Sequence, residues 1–520
     1  MLGTGVYSRA QHYFNVRDAL HSTTSIITSV VEVNNKYYCT GPCVDSINRQ
    51  PDGSWLVRSG IKFAVFDATG TKLIDTVYQS NYKNIDPWSN NLYHIGGTQF
   101  ILAAEGVDTG SKAKMLLFKF DSTGKVFWEA EYDKPTCTER VFYRLNDFKY
   151  DSLRHCWLML STSSCTRPGG GVHADIILTK LDTSFNVVWH QRYGDAQLND
   201  IPTKVIIEPD GYAIGGGLDN GNLVSKNYSF RAQIIKTDTA GTVQWTYLSP
   251  ISRLTKWMQD LVKTQDGGYV YCGQGDGVER VFPNGVNADV LWKGWVEKLD
   301  VNRNSVWTKV IGNLTSSTIS NEQRILKQLP DDAIIIGGMI AGGFSPNDTL
   351  PFNYGSIVKV DDNGATIWER KYAITSDTFL YNVYDIDATA DGGYVISGEA
   401  RDVFFPYNDP SQRGWLVKVD SNGCMSATDP QCDPLNIPDL PHAMEFPVFP
   451  NPTTEILYIN SKNPKPSTIV VCDLVGRVVT DQSLHLGINR LELHNAPSGV
   501  YVYKIVDTAG MIQRGKFVKE

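Results

Sequence analysis

Apolar residues along this chain fall at every second position in short runs, and each run is closed by Asp, Gly, Asn or Pro. That period matches strands with one face buried, and stretches with a helical period are scarce. Two phrases recur. The first is an apolar strand, then Asp, then a turn often closed by Gly, and frequently a Trp: "FDATGTKLID" at Asp67, "FDSTGKVFW" at Asp121, "LDTSFNVVW" at Asp182 and "TDTAGTVQW" at Asp238. It returns as "LDVNRNSVW" at Asp300, "VDDNGATIW" at Asp361 and "VDSNGC" at Asp420. The second phrase precedes it, most clearly as "DGYAIGGG" at 210, "DGGYVYCG" at 266 and "DGGYVISG" at 391.

Both phrases are turn chemistry. An Asp carboxylate accepts backbone N–H bonds across a tight hairpin, and Gly takes the positive φ. The Trp that follows offers a flat apolar face for a neighbouring sheet. Each unit of about 60 residues then holds four strands, named A to D in chain order. Four-stranded units at this period predict an all-β, seven-bladed β-propeller over residues 1–425. The seventh unit ends at Gly423–Cys424 without its D strand. The N-terminal "GVYSRAQHYF" is the segment expected to fill that gap and close the ring.

After Cys432 the chain turns Pro-rich and loses its periodicity, so 426–445 reads as a linker. Residues 446–520 begin again as a small β domain with strands "ILYINS", "STIVVCDLVGRVV", "INRLELH", "GVYVYKIVD" and "IQRGKFVKE", the size and strand spacing of an immunoglobulin-like sandwich. This segment resembles the type A C-terminal sorting domain of the Bacteroidota type IX secretion system. The resemblance rests on Phe449–Pro450–Asn451–Pro452 at the entrance and on the Asp473 to Gly476–Arg477 turn. It continues through Gly499 and Tyr501 and ends at Lys516 in "GKFVK". Ala496 stands where the family often has Leu. The resemblance implies passage across the outer membrane by that machinery, then surface attachment or release. The propeller also resembles the secreted propellers that commonly carry such a tail.

Composition narrows the classes further. A net charge of −8 with no Lys/Arg block disfavours a nucleic-acid partner. No apolar run reaches the roughly 18–20 residues of a spanning helix, and residues 1–16 do not read as a signal peptide. None of the nine Cys forms a C-x-x-C or a zinc spacing. Three disulfides are expected: Cys137 with Cys165, Cys39 with Cys43, and Cys424 with Cys432. No cofactor or metal is expected, and no catalytic set is assigned. Ser122–Thr123–Gly124–Lys125 matches S-x-x-K but falls in a hairpin. The Asp turn is similar to the docking motif of pyrroloquinoline-quinone propellers and to sialidase Asp-boxes, which are structural in both families.

Length varies mainly in the B–C connections, 42–59, 162–174, 218–230, 274–293, 339–355 and 399–413, which leave one face of a propeller. Variable loops on one face of a rigid scaffold suit binding. They carry Trp55, Tyr228, Phe282, Trp292, Phe344, Phe352, Tyr354, Phe404, Phe405 and Tyr407, with Glu105, Asp219, Asp276 and Glu399 near the ends of B strands. The expectation is a surface-attached propeller that binds a glycan or protein through this face. One alternative is an extracellular hydrolase of polysaccharide or peptide, for which Asp260, Glu322 and Asp385 on A strands are the carboxylates to inspect. Another is a structural surface-layer or filament component.

Overall fold

A computed structural model describes residues 13–18, 24–49, 55–79, 84–87, 91–107, 113–132, 144–166, 172–194, 198–219, 230–250, 256–281, 288–312, 321–341, 353–374, 379–402, 412–426, 429, 431–432, 446–461, 467–473, 477–494, 496–507 and 510–520. The chain divides into two compact units, 1–427 and 428–520.

Among the described residues the first unit is built from seven antiparallel sheets, each A-B-C-D in order. Each sheet touches the A strand of the next, and the seventh touches the first, so the propeller ring is closed. Closure uses the N-terminal strand Phe14–Arg17, which pairs with Arg413–Val419 as the outer strand of the seventh blade, in the register Phe14↔Lys418. The closing strand thus starts where the expected segment ends.

The turn phrase explains both the C–D hairpins and the blade contacts. All seven Asp carboxylates accept two backbone N–H bonds, from the residues two and four positions on. Examples are Asp67 from Thr69 and Thr71 at 2.8 and 2.9 Å, and Asp300 from Asn302 and Asn304 at 2.8 Å each. The fourth residue of each turn has φ between 67° and 86°: Gly70, Gly124, Phe185, Gly241, Arg303, Gly364 and Gly423. Glycine suits five of them twice over, because a Cβ there would also strike the preceding blade. It would meet Trp307 at Gly364, Trp368 and Tyr372 at Gly423, and Phe14 at Gly70. Phe185 adopts the same φ as a bulky residue, a backbone cost of about 1–2 kcal/mol. Its ring offsets that by packing between Trp128 and Trp157 at 5.0 and 5.7 Å. Tyr132, Tyr193 and Tyr372, at the ends of D strands, donate to the carbonyls of Phe185, Gly241 and Gly423 on the next blade.

The second unit is a sandwich. One sheet contains Val448–Phe449, Ile456–Ser461 and Gly487–Glu492; the other contains Val478–Leu484, Ser467–Cys472, Gly499–Asp507 and Gly510–Lys519. Alternate residues (Leu457 and Ile459, Ile469 and Val471, Tyr501 and Tyr503) meet in its core with Phe446, Leu491 and Phe517.

One expected disulfide is corrected here. Cys39 and Cys43 remain thiols because the "TGP" between them is part of a continuous strand, Lys36–Arg49. Four residues of extended chain separate two Cα atoms by about 13 Å, about twice what a bridge spans. Cys424 and Cys432 are both disulfide-bonded. Cys137 and the side chain of Cys165 lie outside the described residues.

Candidate binding face and sorting tail

Inner A strands begin, and B strands end, on the same face of the ring. In the first, third and fifth blades the B and C strands continue past the last A and D pairings as two-stranded ribbons. In the first blade, A pairing stops at Thr24↔Val44 and D pairing at Ile61↔Tyr78, while B and C continue to Arg49↔Trp55. In the third blade the ribbon runs from Ser163↔Asp175 to Thr166↔Val172. In the fifth it runs from Val278↔Leu291 to Val281↔Ala288 after a bulge. Parts of the expected loops are therefore paired ribbons with two open edges each.

Of the sequence-derived face residues, Phe282, Phe344, Phe352, Phe404, Phe405, Tyr407 and Tyr228 lie outside the described residues, as do the side chains of Trp55, Trp292 and Asp276. Tyr354 is half-buried against the core that joins the fifth and sixth blades, with Lys371 5.9 Å from its ring. Asp219 accepts the Asn199 side-chain amide at 3.1 Å. Glu105 accepts the Leu145 N–H at 3.1 Å from the next blade. Burial, reinforced by Asp86 and opposed by Arg144 and that hydrogen bond, pushes the Glu105 carboxyl up to about 7. Glu399 is buried and accepts Asn382 Nδ2 at 2.5 Å, Tyr384 Oη at 2.9 Å, and Gln412 Nε2. These four residues sit on different blades and do not form one cluster.

The A-strand carboxylates singled out for inspection have structural partners. Asp260 accepts Leu326 N–H of the next blade at 2.8 Å, and Asp385 accepts Val30 N–H of the first blade at 3.0 Å. Asp147 does the same for Val205 at 2.9 Å. Every second blade from the third to the seventh is thus stapled to its successor by a buried Asp. Lys204 sits 3.6 Å from Asp147 and 3.7 Å from Asp260. Lys149 and Lys327 lie 3.9 Å from Asp147 and Asp385. Burial drives Lys149 down to about 8 and Asp385 up to about 6. The repeated triplet polar–Asp–apolar (Asn146–Asp147–Phe148, Gln259–Asp260–Leu261, Tyr384–Asp385–Ile386) was the sequence signal for these staples.

The same triplets mark a bulge. Pairing of five A strands with their B strands skips Asn146, Thr203, Gln259, Arg324 and Tyr384. Three of these form a polar rim with Glu322. Gln259 Nε2 and Arg324 Nη2 each donate to a Glu322 oxygen at 2.7 Å, and the Arg324 guanidinium lies 5.1 Å from the Tyr384 ring centroid. Tyr384 then reaches Glu399, and Gln412 Oε1 accepts the Thr24 hydroxyl at 3.1 Å. The bulge hides this rim from a period-2 reading, which places the polar residue on the wrong side of the strand.

In the sandwich unit the two ends of the sorting motif meet. Asn451 Oδ1 accepts Val518 N–H at 2.9 Å, and Thr453 N–H donates to the Val518 carbonyl at 2.8 Å. Glu520 N–H donates back to Thr453 at 2.9 Å. Phe449 stacks on Tyr458 at 5.9 Å, flanking Pro450, Asn451 and Pro452, whose preceding and internal X-Pro bonds are cis. Asp473 accepts Arg477 N–H at 2.9 Å and pairs with its guanidinium at 2.8 Å. Tyr501 stacks on Phe517 and donates its hydroxyl to Pro497. Gly499 opens the strand holding Tyr501, Lys516 is exposed, and Gly476 lies outside the described residues.

Residues 447–520 match the family model of the secretion system C-terminal sorting domain. No curated protein matches the chain. Similar solved structures include a Bacteroides caccae protein of unknown function, at 12% identity over 63% of this chain and 92% of that one, TM-score 0.37. The periplasmic gluconolactonase PpgL of Pseudomonas aeruginosa is 12% identical over 74% and 97%, TM-score 0.39. PorZ, an essential surface component of the Porphyromonas gingivalis type IX secretion system, is 10% identical over 95% and 81%, TM-score 0.24. The sorting domain implies export by a secretion machinery. Among the described residues no helix is long and apolar enough to cross a membrane, and no group of His, Cys, Asp and Glu is placed to hold a metal ion.

Proposed function

We propose that the protein is displayed on the cell surface through its type IX sorting tail and binds a glycan or protein ligand with the B–C face of its propeller. The observation that carries this reading is the asymmetry of the ring. One face ends in tight Asp turns, whereas the other, among the described residues, raises three two-stranded ribbons. A rigid base with variable projections is the usual arrangement of a recognition surface. Binding of the full-length protein to a glycan array and to extracted surface proteins tests it, run beside Trp292→Ala and Phe404→Ala. Loss of the captured ligand in these variants supports the reading, and unchanged capture in both removes it.

A hydrolase reading draws on Glu105, a half-buried carboxyl raised to about 7 and so suited to give up or take a proton there. Release of reducing ends or peptides from extracellular polysaccharide or protein, absent in Glu105→Gln, is the result that would favour it over binding.

A further inference from the structure

We propose that the inner rim of the B–C face, across the fifth, sixth and seventh blades, is a subsite for one neutral, hydroxyl-rich sugar ring, held by Gln259, Glu322, Arg324, Tyr384 and Glu399. This rests on the reading that the B–C face binds ligand, and it narrows that ligand to an uncharged glycan.

Position is the first argument. Gln259, Arg324 and Tyr384 are the bulged residues of three consecutive A strands. A bulge re-aims a side chain and is found beside functional sites more often than a regular pairing is. The three are joined through Glu322 and Glu399 into one run of planar polar groups beside an aromatic ring. Planar amide, carboxylate and guanidinium groups match the spacing of adjacent sugar hydroxyls, and an aromatic ring matches the apolar face of a pyranose.

Unused hydrogen-bonding capacity is the second argument. Arg324 carries five N–H groups. Its described side-chain hydrogen bond is the one to Glu322, and its buried Nε has no partner. Asn382 Oδ1, beside Glu399, is also left over. Donors and acceptors are therefore spare together. A hydroxyl serves both, whereas an ammonium only donates and a phosphate oxygen only accepts. Buried groups of this kind are costly unless something pairs with them.

Charge is the third argument. One guanidinium faces two carboxylates, so the rim carries an excess negative charge and disfavours uronates, sulfates and phosphates. Gln412 is itself bonded to the rim at Glu399.

The test uses the full-length protein on immobilised neutral oligosaccharides of gluco, galacto, manno and xylo configuration, with uronate-containing glycans alongside. Gln259→Ala and Tyr384→Phe are compared with wild type, with Trp292→Ala and Phe404→Ala, and each is checked by thermal melting. The expected result is binding to a neutral glycan that weakens at least about ten-fold in both rim variants, the loss of one well-made hydrogen bond, with an unchanged melting temperature. Should Tyr384→Phe melt early, Gln259→Ala at the half-buried rim position carries the test. Rim variants that bind like wild type while the loop variants lose binding would overturn the subsite and leave the face reading standing. Binding only to uronate glycans would also overturn it. If no glycan is bound the subsite falls, and protein capture by the same face decides the wider reading.

Discussion

Asp18→Asn should open the ring at its seam. Asp18 follows the closing strand and is 2% exposed, and its N–H donates to Gly414 of the seventh blade at 2.7 Å. Its carboxylate contacts Lys62 and lies 2.8 Å from Lys72, both in the first blade, while Asp75 bridges the same lysines, 2.9 Å from Lys62. Two acids and two bases thus neutralise each other across the joint. Burial opposes the charge on Lys72, yet the Asp18 and Asp75 carboxylates hold its pKa above the ordinary lysine value. Asparagine keeps the shape and removes one charge, leaving Lys62, itself 1% exposed, under-compensated. Breaking a buried pair in this way costs about 3–5 kcal/mol. Denaturant unfolding gives the total, and hydrogen exchange gives the location. Amides of Phe14–Arg17 and of their partners Trp415–Lys418 should exchange far faster than those of the fourth blade. Asp18→Asn combined with Lys62→Met should recover much of the loss, since an apolar side chain of similar length no longer needs a counter-charge. A loss below about 1 kcal/mol, or opening centred on another blade, would refute the seam argument.

Four further outcomes follow from the geometry. Asp75 is held below the ordinary carboxylate value, because burial is outweighed by its bonds to Lys72 and Lys62; its stabilising contribution is present above the unfolded carboxylate range and is lost as pH falls through its folded value, so seam exchange should rise in acid and not between pH 6 and 8. Glu105 has the opposite sign: with its carboxyl raised to about 7, stability falls between about pH 4.5 and 7 and stays lower above, so Glu105→Gln should be about 3 kcal/mol more stable than wild type at pH 8 and equal to it near pH 4 by denaturant titration. Gly364→Ala should cost clearly more than Gly392→Ala, although both sites have φ near 80–86°, because a Cβ at 364 meets Trp307 at 2.7 Å and one at 392 meets nothing within 4 Å; the backbone term alone is about 1–2 kcal/mol, and equal melting shifts would remove the Trp docking claim. Asn451→Ala should free the Val518 N–H it now accepts and shift protein from the cell surface to the periplasm, as should deletion of 446–520; undiminished surface display in both would contradict the sorting role.

The repeat was legible because turn chemistry is local. Asp67, Asp121 and the five later turn aspartates bond residues two and four positions away, so the phrase carries its own structure. The sorting tail was legible for a related reason, its short motifs standing at fixed places, though the meeting of Asn451 with Val518 is a long-range fact that spacing does not reveal. Loop length misread the ribbons: residues such as Ile47 and Val57 pair with each other although no A or D strand flanks them. The rim at Gln259, Arg324 and Tyr384 was hidden because one extra residue per strand breaks the alternation by which inward and outward positions are assigned. Cys39 and Cys43 misled through a Gly-Pro pair that signals a turn in isolation. Here it lies in a strand, paired with Lys62 and Ile61 on the C strand.

In the proposed function, ligand is met by the B–C face and not by the locked turns. Hydrogen exchange of the full-length protein, with and without an oligosaccharide captured on the array, tests it directly. Slowed exchange is expected at Arg49, Thr166, Val281, Ala341 and Asp402 and along the rim at Gln259, Arg324 and Tyr384. No change is expected at the C–D turns of Gly70, Gly241 and Gly364. Protection confined to those turns, or spread evenly over both faces, would contradict it.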